Sequence, residues 1–362
     1  MKHVNHFITS LINYMFRLRS PGLALIRWGV GLLVAIMGGA AISVGFPTPD
    51  GRFSFSYDSS SGLPGLAFWA MFSVCIVLMV AGLILIYVEH HREGRKKVLA
   101  IELRGLRDTS GTPLSKAVPS RLKGRRQSVL VNLRQGADGS ILQPGIALGH
   151  ITQLPTSIRH QEEGFDRADI SLVAAGMAPV PYTFLAGVLI DDESEVLLMD
   201  WDRGSEAWRE LNGTDDGERF IVSGLDALTD EIEAVVAVSM SYDVDAGAIA
   251  KTFPDLPVIH LKMPKPNPAS FWSSEKQVAL AQQFFDTVRA LCGTKVKLVH
   301  LVFSATNSSV LRFGRSYDKR NLPDLIVYQY DQAATPPYPW GVRMPVGTTG
   351  QASIETRTLR VV

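Results

Sequence analysis

Few of the features that mark an enzyme or a secreted scaffold are present in these 362 residues. There are two cysteines, Cys75 and Cys292, one in an apolar run and one ending an expected helix, so neither a disulfide framework nor a cysteine metal cluster can be built. Their scarcity fits a reducing compartment. No Walker A loop, G-x-G-x-x-G, H-E-x-x-H or G-x-S-x-G is found. The histidines are scattered: His90 and His91 read as interfacial, and His260 and His300 fall in strand patterns as core histidines. No metal, cofactor or catalytic residue is therefore expected. Basic residues do not alternate with aromatics on a folded face, which argues against duplex nucleic acid as a partner.

Charge is also missing from two long stretches. Trp28 to Phe46 (WGVGLLVAIMGGAAISVGF) and Gly65 to Val88 (GLAFWAMFSVCIVLMVAGLILIYV) contain none. As helices they measure about 28 and 36 Å, against roughly 30 Å of bilayer hydrocarbon. Two membrane spans are expected, at about 27–46 and 65–88, within a transmembrane region of residues 21–90. Lys2, Arg17, Arg19 and Arg27 precede the first span, and Arg92, Arg95, Lys96 and Lys97 follow the second, whereas the intervening loop holds only Arg52. Both ends should face the cytoplasm. Gly31, Ala35, Gly39 and Ser43 recur every four residues, a spacing that lets membrane helices approach and self-associate. Val4, Phe7, Ile8, Leu11, Ile12, Met15 and Leu18 recur at helical spacing without an acid, so residues 1–20 are compatible with an interfacial helix on membrane lipid.

Formal net charge is +1, but the charges are segregated. Eleven Lys or Arg face four acids between Glu89 and Arg126, whereas fifteen acids face three bases between Asp191 and Glu233. Residues 91–150 read as a basic connector with one or two strands, drawn to anionic headgroups or simply solvated. From Asp169 the pattern becomes α/β: DISLVAAG, EVLLMDW, EAVVAVSMS, LPVIHLKM, KLVHLVFSA and DLIVYQYD are strands. PYTFLAGVLI, AGAIAKTF, SSVLRFGRSYDKR and a long amphipathic segment from Ser273 to Gly293 are helices. Continuous apolar strands separated by helices predict a largely parallel, buried sheet. The segment ISLVAAG…FLAGVLID…EVLLMDWD repeats as HLVFSA…LRFGRSYD…LIVYQYD, with Gly187 matching Gly314 and Trp201-Asp202 matching Tyr330-Asp331, after a small insertion. Two fused Rossmann-like halves would explain this repeat.

In open parallel sheets, ligands bind beyond the carboxyl ends of the strands. The loops there carry Met177 and Pro179, Ser239 and Ser241, and Ser304, Thr306, Asn307 and Ser308. A hydroxyl-rich helix start offers donors to phosphate, although Ser308 could serve only as an N-cap. Tyr330 and Trp340 could stack on bases, with Lys265 and Arg312 as nearby cations.

The stretches GMAPVPYTFLAGVLIDDESEVLLMDWDR and HLVFSATNSSVLRFGRSYDKRNLPDLIVYQYD resemble the SAVED domain family, fusions of two CARF-like halves that sense cyclic oligonucleotides. The resemblance covers roughly 150 to 345, within a sensor of residues 151–362. With two membrane helices in front, it implies a transmembrane-SAVED effector of a bacterial CBASS antiphage system. Such an effector would bind a cyclic di- or trinucleotide made by a partner nucleotidyltransferase, self-associate, and disrupt the inner membrane in abortive infection. A membrane-tethered nucleotide hydrolase or nuclease with an unrecognised site, or a non-binding scaffold, remains the alternative.

Overall fold

The computed structural model describes residues 21–37, 42–48, 51–57, 65–135, 140–190, 195–318, 321–345 and 350–357. The chain divides into two units, residues 1–95 and 96–362. The expected interfacial helix at 1–20 lies outside the described residues.

The first unit holds helix α1 (Pro21–Met37), an antiparallel hairpin of β1 (Ile42–Thr48) and β2 (Gly51–Tyr57), and helix α2 (Gly65–Arg95). The first span therefore differs from the expected 27–46: its helix begins six residues earlier and ends at Met37. A charge-free run reports apolarity, not helix. After Met37 come two glycines, then β-branched Ile42 and Val44, which favour a strand. Among the described residues, Phe68–Glu89 is long and apolar enough to cross a membrane, whereas Pro21–Ile36 is a shorter apolar helix. Val77, Leu83 and Ile84 are more than half exposed, which suits a lipid-facing surface better than a soluble core.

The helices pack antiparallel through glycines. A Cβ on Gly22 would lie 2.6 Å from the Gly82 carbonyl oxygen, and one on Gly29 would lie 2.8 Å from Met79 Cγ. Gly31 has nothing within 4 Å of such a position. The expected stripe is thus not what joins the two helices. Ser43 is off it altogether, in β1, and Gly39 lies outside the described residues.

The second unit contains two sheets. Its first strand, β3 (Lys97–Arg104), follows α2 after Lys96 alone. Then come α3 (Leu114–Ala117), β4 (Arg125–Asn132), a minor hairpin of β5 (Arg134–Gln135) and β6 (Ser140–Ile141), α4 (Pro144–Thr152) and α5 (Leu154–Glu162). β7 (Ile170–Met177), α6 (Val180–Leu189), β8 (Val196–Asp202) and β9 (Ala207–Glu210) complete a sheet of order β4-β3-β7-β8-β9. The expected connector is therefore corrected: Lys97–Arg104 is an interior strand, with Val98 to Leu103 at 5 % exposure or less. Its apolar run was masked by surrounding charge, and its one buried acid is fully engaged. Glu102 accepts from Arg104 Nη2 at 2.8 Å, from the Leu114 backbone N–H at 2.8 Å, and from the Thr109 hydroxyl.

The second sheet is built from β10 (Ile221–Ser223), β11 (Glu233–Ser239), α7 (Ala246–Thr252), β12 (Val258–Lys262), α8 (Ser274–Leu291), β13 (Leu298–Ser304), α9 (Asn307–Ser316), β14 (Asp324–Gln329), β15 (Trp340–Arg343) and β16 (Ser353–Thr356). Its order is β10-β12-β11-β13-β14-β15-β16. The inner five strands repeat the first sheet: three parallel pairings and then one antiparallel strand. This is the expected two-half α/β architecture. β7 and α6 match β13 and α9 without a gap, since Met177 and Ser304 end their strands at the same spacing before Gly187 and Gly314. Strand register equates Leu172–Val196 with Val299–Leu325, so the insertion lies in the loop after the helix.

The equivalent helices α6 and α9 cross on their glycines. A Cβ on Gly187 would sit against the Leu311 carbonyl, and one on Gly314 against the Phe184 carbonyl. Around this crossing Phe184, Phe284, Phe303 and Phe313 form a continuous aromatic core, with ring centroids between 5.1 and 6.3 Å apart. His300, expected as a core histidine, is fully buried. Its Nδ1 lies 3.1 Å from the Tyr328 hydroxyl and its Nε2 lies 2.8 Å from Glu233.

Candidate functional site

The parallel strands of both halves deliver their carboxyl ends to the start of the crossed helices. Each half caps the other's helix. Asp200, at the end of β8, accepts from the Ser308 backbone N–H at 3.2 Å and from its hydroxyl at 2.6 Å. Gln329, at the end of β14, accepts from the Val180 N–H at 3.2 Å. Register makes these two residues equivalents. Asn307 reinforces the second cap, accepting from the Thr183 hydroxyl at 3.1 Å. Free helix N–H groups favour an anion, and on α9 a protein carboxylate already fills that role. Burial pushes Asp200 above the usual carboxylate range, against the lowering effect of the Ser308 and Trp201 hydrogen bonds.

Beside this junction opens a cleft of about 390 Å³. Ser241, Ser304, Thr306 and Asn307 give it a polar wall, and Tyr242, Phe271 and Trp272 an aromatic one. The Arg209 guanidinium lies 4.7 Å from the centroid of the Trp272 ring, bracing that side. The turn after β8 adds Asp202 and Arg203 to the rim. The Gly204 backbone N–H, at 2.9 Å, is the main cause holding Asp202 below the usual carboxylate range. Among the described residues no group of three His, Cys, Asp or Glu could hold a metal ion.

The structure brings together five of the expected contact residues: Met177, Ser241, Ser304, Thr306 and Asn307 all line the cleft. The others do not. Pro179 is buried at the start of α6. Ser239 is buried and accepts from the Val244 N–H at 3.0 Å. Ser308 is buried between Asp200 and Gln277, whose amide donates to it at 2.8 Å, so its hydroxyl is already committed. Arg312 turns to α8, donating to Ser274 Oγ at 3.0 Å; burial, and then Arg315, lower its pKa to about 10. Lys265 is exposed on the loop after β12 and is not part of the cleft wall. Tyr330 packs at a tilt against Tyr338 at 5.4 Å, and Trp340 packs on Tyr182 at 5.3 Å. Inspection of strand ends in sequence missed Asp200, Asp202, Tyr242 and Trp272. The signal for the first two was there in the match of Trp201-Asp202 to Tyr330-Asp331: the first-half copy, not the second, is the one in the cleft.

Residues 154–344 match the family model for the SAVED domain, described as the "SMODS-associated and fused to various effectors sensor domain". The chain belongs to the SAVED family. Residues 1–148 match a second model, described as the "SAVED-fused 2TM effector domain". The effector model extends beyond the structural boundary at 95/96 and includes β3 and β4 of the first SAVED-unit sheet. Among solved structures, the chain is similar to a Cap4 SAVED/CARF-domain containing receptor of Acinetobacter baumannii with the cyclic trinucleotide 2′3′3′-cAAA. Identity is 12 %, TM-score 0.46, with 77 % of this chain and 60 % of that one covered. It is also similar to the corresponding receptor of Moraxella osloensis, at 11 % identity and TM-score 0.42, covering 77 % and 58 %. The chain thus spans about 60 % of the length of these receptors. No curated protein matches it.

Proposed function

We propose that this SAVED protein is a membrane-anchored receptor that binds a cyclic oligonucleotide in the cleft beside the α6–α9 crossing. Binding promotes self-association of the chain, and the helical hairpin then permeabilises the inner membrane, as an abortive antiphage response coupled to a partner nucleotidyltransferase. Both termini face the cytoplasm, and the chain performs no catalysis. The observation that carries this reading is the cleft: its volume falls within the usual range for ligand sites. It joins hydroxyl and amide groups from the second half to a braced indole near the first-half turn, a combination suited to sugar hydroxyls and a stacked base. Gly31 and Ala35 on α1 supply the surface for self-association, since the space beside Gly31 is open.

The test is thermal unfolding of the full chain in detergent against cyclic di- and trinucleotides, followed by dye release from liposomes carrying the protein. A ligand at one hundred times its Kd adds about 2.7 kcal/mol, a rise of about 5–10 °C for a unit of this size. The expected result is a shift with one class of ring, ligand recovered intact, and dye release dependent on that ligand. Ligand hydrolysis would identify a hydrolase instead. The absence of any shift would leave a scaffold and refute the receptor reading.

A further inference from the structure

The fold sorts the cations that crowd the stretch between Glu89 and Arg126. Arg104, Arg107 and Arg121 are paired with Glu102, Glu206 and Glu210. Lys97 is buried, its ammonium donating to the Gln161 carbonyl and lying 4.6 Å from the centroid of the Phe165 ring. Lys96, Arg125 and Arg126 are different: all three are exposed, and none makes an ion pair among the described residues. Backbone contacts hold them together. Arg125 stands opposite Lys97 at the start of β4, and its N–H donates to the Lys96 carbonyl at 2.9 Å. Gly124, at φ +126°, permits this approach, because a Cβ there would collide with the Lys96 carbonyl. No acid occurs from Pro113 to Ala137. The acids near this end of the sheet, Asp166 and Asp169, precede β7, across β3 from β4. The cations are thus gathered on one side of the sheet's amino end.

This end of the sheet is tied to the bilayer by the chain itself. The apolar window of α2 closes at Glu89, the helix continues to Arg95, and Lys96 follows directly. At the helical rise, Lys96 lies at most about 10 Å beyond the hydrocarbon edge. Headgroups occupy roughly 5–7 Å of that distance, and the remainder is shorter than the Debye length of about 8 Å. We propose that Lys96, Arg125 and Arg126 form a docking surface for anionic lipid headgroups. Guanidinium groups suit lipid phosphates because their paired N–H donors match the phosphate oxygens. Lipid is favoured over a soluble polyanion because the membrane span keeps the surface within reach of headgroups at all times. The segregation of charge gives the contact a direction: attraction draws the β4 edge towards the bilayer, and the acids before β7 are repelled from it.

The full chain in nanodiscs provides the test, with a fluorophore on Ser120→Cys in a Cys292→Ser background and a quencher carried on the lipid headgroups. Ser120 is exposed in the turn before Gly124. Discs of phosphatidylcholine alone are compared with discs that also contain phosphatidylglycerol. Quenching should be stronger with phosphatidylglycerol and should fall at high salt. Each Lys or Arg near an anionic surface shifts the ratio of docked to undocked protein about 5-fold. Replacing all three, Lys96→Gln with Arg125→Gln and Arg126→Gln, should therefore lower that ratio about 100-fold and return quenching to the phosphatidylcholine level. All three side chains are exposed, so the melting midpoint should not change. Lys251→Gln, an exposed cation on α7 of the other half, should leave quenching as it is. Equal quenching in the two lipids shows that the cations are only solvated and overturns the proposal. So does quenching that survives the triple replacement, which would place the contact on other residues, or that Lys251→Gln removes as readily. No nucleotide is added, so the result is separate from the receptor reading.

Discussion

Gly187→Ala is the sharpest perturbation of the interface between the two SAVED halves. The added Cβ would press on the Leu311 carbonyl, 2.9 Å from the Arg315 backbone nitrogen and 3.0 Å from Gly314 Cα. All three are backbone atoms, so no rotamer change relieves the clash. The helices must separate by on the order of 1 Å to restore van der Waals contact, which loosens the aromatic core around Phe184 and Phe313. Overpacking of this kind costs about 3 kcal/mol at the upper end of its range. Helix propensity offsets about 1 kcal/mol of that, because alanine is the better helix former. The net loss of about 2 kcal/mol lowers the melting midpoint by about 4–8 °C. Differential scanning fluorimetry of the full chain in detergent measures it. Gly149→Ala is the control, since Gly149 lies in α4 with nothing within 4 Å of an added Cβ. It should melt at or slightly above wild type. If Gly187→Ala melts within about 1 °C of wild type, well inside the shift expected for this loss, the glycine crossing is not a close-packed interface and the reasoning fails.

Asp200→Asn tests the buried cap. The folded pKa of Asp200 is raised by burial, so the stability it contributes is fully present below the usual carboxylate range and is lost as pH rises through the raised value. The variant should lose less melting temperature than wild type as pH rises from 4 to 8; a parallel profile would show that Asp200 does not titrate differently in the fold. Trp272→Ala removes the indole that Arg209 braces, and base stacking of about 1–3 kcal/mol predicts at least a 5-fold weaker affinity in calorimetry. In the membrane unit, Gly22→Leu should disrupt the hairpin, because an added Cβ already meets Gly82, whereas Gly31→Leu should leave the monomer's melting unchanged. If Gly31→Leu also leaves ligand-dependent dye release intact, this face of α1 plays no part in assembly.

Much of the SAVED unit was legible because parallel strands are buried on both faces. DISLVAAG and KLVHLVFSA carry unbroken apolar runs, and each feeds a helix after a two-residue turn. The strand that escaped notice, VLAIEL in β3, is equally apolar but sits between Lys97 and Arg104 in a basic stretch. Only the fold reveals that Glu102 is neutralised locally by Arg104 and the first turn of α3. The hydroxyls before α9 illustrate a different limit. A helix start rich in serine signals an acceptor for its free N–H groups, and one is present, but it is Asp200 from a strand over one hundred residues earlier. Trp272 and Tyr242 sit on loops whose position depends on the sheet order, which local pattern does not encode. In the membrane unit, hydropathy found both helices but could not place the end of the first, since Ile42 and Val44 are as apolar in a hairpin as in a helix.

The crossing of Gly187 on Gly314 also constrains how this sequence can change over time. A side chain at either glycine is obstructed by main chain contributed from the opposite half, so neither position can drift alone without parting the helices. Loops, sheet edges and cleft walls of the two halves are free to diverge, and they have: one half presents an acid where the other presents an amide. After a duplication, the glycine crossing would act as a hinge pin that keeps two diverging copies aligned, while each copy comes to supply different groups to the cleft beside it.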